Sequence, residues 1–101
     1  MPRYKIAHIK QRDTSGLDVH LIIIPLETAF GDKAAEDQQA IIAGLQVCVT
    51  SAGLIGTIVP VWMDRSGRTK FIALHEWHPC FERASMDSIR LSINRELLCS
   101  G

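Results

Sequence analysis

Apolar and polar positions along the chain fall into two extended pairs, each trailed by a helical pattern. Tyr4 to Gln11 alternates loosely between apolar and polar side chains, as a strand with one covered face does. Val19 to Leu26 is almost wholly apolar with a β-branched majority, so it is expected at the centre of a sheet. Between them, Arg12-Asp-Thr-Ser-Gly-Leu-Asp18 is rich in turn formers and predicts an antiparallel hairpin. If it pairs around Thr14, His8 lies opposite His20. Asp32 is then placed to cap a helix beginning at Lys33, and Gly53 to stop it. Within that helix Ala35, Gln38, Ile42, Leu45, Val49 and Ala52 recur at three- and four-residue spacing and form a core stripe.

The pattern then repeats. Gly56 to Met63 and Thr69 to His75 read as strands joined by Asp64-Arg-Ser-Gly-Arg68, with Gly67 free to take positive φ. Setting Asp64 opposite Arg68 pairs Val61 with Phe71 and Val59 with Ala73. Pro60 lacks an amide proton, which predicts an edge strand or a bulge. Pro79 can open a short turn, and a last helix is expected from Met86 to Cys99, capped by Ser85, with Met86, Ile89, Ile93 and Leu97 inward. An offset of fifty-one residues aligns Asp13, Ser15 and Gly16 with Asp64, Ser66 and Gly67, and likewise Phe30 with Phe81, Ile42 with Ile93 and Cys48 with Cys99. The expected fold is therefore α+β: one domain over residues 1–101, built as ββαββα, with a four-stranded, mainly antiparallel sheet and two helices packed on one face.

Composition narrows the class. An apolar fraction of 47% excludes disorder, and eleven basic residues against eleven acidic ones leave no net field to draw phosphates. Nucleic acid is disfavoured as a partner on that ground. Its best anchor would be Trp62 with Arg65, Arg68 and Lys70 on the second hairpin, and the plainer reading is a solvated hairpin tip with a core tryptophan. Gln38 to Met63 carries no charge, yet Gln46, Thr50, Ser51, Gly53, Gly56 and Pro60 interrupt it, so no membrane span is predicted. The N-terminus has no unbroken apolar run of the secretory kind, and three cysteines without CxxC spacing fit reduced thiols; both point to the cytoplasm. Cys48 and Cys99 are expected to be buried and inert.

Two features bear on function. The outer side of the first helix, with Ala40, Ala43, Gly44, Val47 and Ser51, has no charge over its C-terminal half and predicts a homodimer interface. The segment His75-Glu-Trp-His-Pro-Cys80 gathers two imidazoles, a carboxylate and a thiol at a strand exit, so His75, Trp77, His78 and Cys80 are candidate small-molecule ligand contacts. Zinc accepts such donors, but three or four must converge, and spacing alone assembles no such set; a thiol nucleophile at Cys80 would need an orienting third residue that is not evident. No metal, cofactor or catalytic residue is assigned. The leading expectation is a binding or interaction module acting as a homodimer, and the alternative a small enzyme or metal protein using His75, His78 and Cys80.

Gly56-Thr-Ile-Val-Pro-Val-Trp62, Trp77-His-Pro-Cys-Phe81 and Ser92-Ile-Asn-Arg-Glu-Leu97 together resemble small uncharacterised bacterial proteins of the kind carried on integron gene cassettes. The resemblance covers the C-terminal half. It implies a compact accessory domain, with Trp62 and the Trp77–Phe81 segment structural, and transfers no catalytic residue.

Overall fold

The structure, a computed structural model, describes residues 3–13 and 15–99, with the side chains of His75 and Cys80 also outside the described set. The described elements are β1 (Arg3–Arg12), β2 (Asp18–Pro25), a 3-10 turn (Thr28–Asp32), α1 (Ala35–Ser51), β3 (Thr57–Met63), β4 (Thr69–Phe71), a second 3-10 turn (His75–Trp77), α2 (His78–Glu82), α3 (Met86–Leu91) and β5 (Arg95–Leu98). The strands form one mixed sheet in the order β4-β3-β2-β1-β5. β2 is central, as its apolar run requires. It pairs antiparallel with β1 and parallel with β3, so the chain must cross back over one face, and α1 is that crossing.

Both hairpins close through the same device. Asp13 Oδ1 accepts from the backbone N–H groups of Ser15 and Leu17 and from the Ser15 hydroxyl, and Asp64 Oδ1 accepts from the equivalent groups of Ser66 and Arg68. These bonds hold both carboxyls below their ordinary value of 3.8, the serine hydroxyl being the largest cause in each. Gly16 and Gly67 follow at positive φ, 85° and 87°. The first turn spans Asp13 to Leu17, so the register is set two residues from the expected one: Lys10 faces His20, and His8 faces Ile22. The second hairpin pairs Val61 with Phe71 as expected, but β4 ends there, before Ala73. That early end accommodates Pro60. Its carbonyl accepts from Ile72 N–H on the β4 flank, so the missing proline N–H falls where the ladder has already stopped, and β3 lies inside the sheet, not at its edge.

Two expectations are overturned. The helices do not share a face. Leu21 and Ile23 of β2 pack with Val59, Trp77, Phe81, Met86 and Ile89 beneath α2 and α3, whereas Ile22 and Ile24 pack with Ile58, Leu45 and Val49 beneath α1. A central strand apolar on both sides exposes two surfaces to water until both are covered. Nor does the last helix run to Cys99. It stops at Leu91, and the chain returns as a fifth strand along β1. Asn94 guides that return: its side-chain oxygen accepts from His8 N–H at 2.9 Å, its amide donates to His8 C=O at 2.9 Å, and its backbone N–H donates to Ile6 C=O. Leu97 is then fully buried while its neighbours are exposed, the two-residue alternation of a strand.

Helix boundaries follow local chemistry. Ser85 caps α3 in a reciprocal capping box with Ser88. α1 ends where Leu54 N–H bonds Val49 C=O and Gly53 N–H bonds Thr50 C=O, with Gly53 at φ 77°. Its start is two residues later than expected. Asp32 closes the 3-10 turn and pairs with Arg65 at 2.8 Å instead of capping the helix. Gln38 satisfies the carbonyl of Phe30.

Cys48 of α1 and Cys99, one residue beyond β5, form a disulfide with Cα atoms 5.2 Å apart. This corrects the expectation of reduced thiols, and with it goes the cysteine-based argument for a reducing compartment. Among the described residues no helix is long and apolar enough to cross a membrane.

Candidate functional site

The core stripe of α1 is inward only in its middle, since Ala35 and Ala52 at its two ends are exposed. Leu45 and Val49 are buried, Gln38, Ile41, Ile42 and Cys48 are half-buried, and Ala40, Ala43, Gly44, Val47 and Ser51 are all exposed. Val47 is 66% exposed, a large apolar side chain on a strip without charge. Glu36 and Asp37 sit only in the first turn, where they complement the helix dipole. A Cβ built on Gly44 meets nothing within 4 Å, so the middle of this strip is shallow and open.

The segment from residue 75 to 80 is split. Trp77 turns into the core beneath the sheet and is 4% exposed. His78 is half-buried against Phe71, ring centroids 5.1 Å apart, and its Nε2 lies 3.0 Å from the carbonyl oxygen of Ala73. A carbonyl only accepts, so that nitrogen carries the proton and donates. The side chains of His75 and Cys80 lie outside the described residues. Among the described residues no three His, Cys, Asp or Glu side chains converge to hold a metal ion.

His8 and His20 remain neighbours despite the shifted register, because a two-residue shift preserves the face; their rings are 5.3 Å apart. His8 Nε2 is 3.2 Å from Ile55 C=O and donates to it. The nucleic-acid anchor is not available for stacking. Trp62 is buried edge-on against Phe30 at 5.0 Å, and a Cβ on Gly31 would overlap its indole nitrogen. Arg65 and Lys70 are partnered by Asp32 and Asp64.

Sequence reasoning missed a groove of about 880 Å³ across the end of the sheet, where β1 begins and β2 finishes. Its walls include Tyr4, Leu26, Phe30, Ile41 and Ile93. Around them stand four cations, Arg3, Lys5, Lys33 and Arg90, and one carboxylate, Glu27. The cations come from three separate stretches of chain: Arg3 and Lys5 at the start of β1, where it pairs with β5, Lys33 ahead of α1, and Arg90 in α3. No local spacing could have signalled this.

Comparison of the chain with protein-family models, with curated proteins and with solved structures returns no match in any of the three.

Proposed function

We propose that this protein is a small binding or interaction module that works as a homodimer through the outer face of α1. The observation that carries the reading is the exposure of Val47 at the centre of an uncharged strip of small residues. A two-fold interface uses the same patch on both subunits, and small side chains let two helices approach to the short end of the usual 8–10 Å interaxial range. A helix of seventeen residues is about 25 Å long, so the contact is modest in area. The resemblance to mobile-cassette proteins belongs to the same reading: an accessory module whose work is recognition.

Sedimentation velocity at tens of micromolar tests it. The wild type is expected at twice the 11.2 kDa chain mass and Val47→Glu at the monomer mass. Leu91→Glu, which changes another exposed apolar residue (89%) outside α1, is expected to leave the dimer intact. A wild-type monomer throughout this range, or a Val47→Glu variant that still dimerises, overturns the proposal.

The alternative, an enzyme or metal protein built on His75, His78 and Cys80, is weakened by the bond from His78 to Ala73, which commits one of its ring nitrogens.

A further inference from the structure

We infer that the groove at the β1–β2 end of the sheet binds a small amphipathic anion, a carboxylate or phosphate head on a hydrocarbon body. The site is separate from the outer face of α1, so it stands or falls without the dimer.

Three observations carry it. A volume near 880 Å³ is that of a site for a drug-sized molecule, and a lining of Tyr4, Leu26, Phe30, Ile41 and Ile93 suits a hydrocarbon body. The chain as a whole is neutral, yet this groove collects four cations against one carboxylate, a local excess the overall composition does not predict. Two of the four are uncommitted. Arg3 is 3.5 Å from Glu96 and Arg90 is 3.8 Å from Asp87, but Lys5 and Lys33 have no carboxylate within 4.0 Å among the described residues. Tyr4 adds a hydroxyl without a hydrogen-bond partner among those residues.

Apolar walls and cations demand different parts of one molecule. An inorganic anion would leave the hydrocarbon surface wet, and a neutral hydrocarbon would leave Lys5 and Lys33 unanswered. An amphipathic anion satisfies both, its head held by charge-assisted hydrogen bonds from Lys5 and Lys33 and its body against the walls.

The test uses the intact protein and 1-anilinonaphthalene-8-sulfonate, an aromatic anion that fluoresces on leaving water. The dye is displaced by octanoate, octyl phosphate, octanol or octylammonium, four molecules with one tail and different heads. The inference expects octanoate or octyl phosphate to displace it at least tenfold more effectively than octanol or octylammonium, with the difference shrinking in high salt. The better of the two anions identifies the head as carboxylate or phosphate. Lys5→Glu with Lys33→Glu is expected to weaken binding tenfold or more, whereas Arg68→Glu with Arg83→Glu, the same charge change outside the groove, stays near wild type. Should the first pair fail to give a cooperative melt, Lys5→Gln with Lys33→Gln serves in its place and is expected to lose affinity in the same direction. Equal displacement by all four molecules, no displacement by either anion, or equal binding by both charge-changed pairs overturns the inference.

Discussion

Breaking the Cys48–Cys99 disulfide is the perturbation whose size follows most directly from the fold. The bond joins α1 to the end of β5 across a sequence separation of 51 residues, so it closes about half the chain into a loop. In the chain-entropy description, cross-linking a loop of that length removes roughly 14 cal/mol/K from the unfolded ensemble, or about 4 kcal/mol at room temperature. A domain of this size has a total stability of about 5–15 kcal/mol, so the cross-link is a large part of what holds α1 and β5 against the same face. Urea denaturation with and without a phosphine reductant measures it, alongside a Cys48→Ser, Cys99→Ser variant that must match the reduced wild type. The expected loss is a midpoint drop of about 2–4 M urea. Thiol titration of the denatured, unreduced protein should find one free cysteine of the three, Cys80. Three free thiols, or a midpoint that reduction does not move, would refute the placement of α1 over β5.

Other outcomes follow from particular contacts. Ile22→Ala, in the fully buried centre of β2, is expected to cost about 2–5 kcal/mol in urea melts, because its neighbours on the α1 face cannot close the cavity; a loss under about 1 kcal/mol would mean β2 is not central. Gly31→Ala drives a methyl into the Trp62 indole and is expected to cost about 1–3 kcal/mol with a red shift of tryptophan emission; unchanged emission and stability would place Trp62 elsewhere. Asp13 and Asp64 have folded-state pKa values below 3.8, so the unfolded chain takes up protons first as pH falls. Their contribution is complete above that value and is lost as pH drops below it through the folded values. Asn at both positions keeps an accepting oxygen but cannot titrate, so Asp13→Asn with Asp64→Asn should show a shallower loss of stability in acid; an acid slope equal to that of the wild type would contradict the turn geometry.

What the sequence disclosed was local. The two Asp-x-Ser-Gly turns, the Ser85 cap, the Gly53 stop and the middle of the core stripe, Gln38, Ile42, Leu45 and Val49, each depend on neighbours within a few residues; the stripe's ends, Ala35 and Ala52, are exposed, and the first hairpin pairs two residues away from the expected register. The differences lie in long-range placement. Met86, Ile89, Ile93 and Leu97 fit a helical stripe, yet the unpaired edge of β1 and the bonds from Asn94 to His8 make a strand the better use of the last stretch. The fifty-one-residue offset holds for the hairpin turns and fails for the helices, since Ile42 lies in α1 and Ile93 beyond α3. Cys48 and Cys99, equivalent in that alignment, proved to be bonded to each other. An apolar run on both sides of Val19 to Leu26 already demanded cover on two faces, so the placement of both helices on one side contradicted a signal the sequence itself carried. The uncharged strip on α1 is legible in the sequence because one helix holds all of it. The groove is not, because its cations lie at residues 3, 5, 33 and 90.

The proposed dimer requires α1 to meet a second copy of itself. Isotope-filtered NOE spectroscopy on a mixture of labelled and unlabelled protein, at several hundred micromolar, reads that contact without any substitution. Cross-peaks between subunits from the methyl groups of Val47 and Ala43 are the predicted result. Intersubunit peaks confined to other surfaces, or none at all, would contradict it.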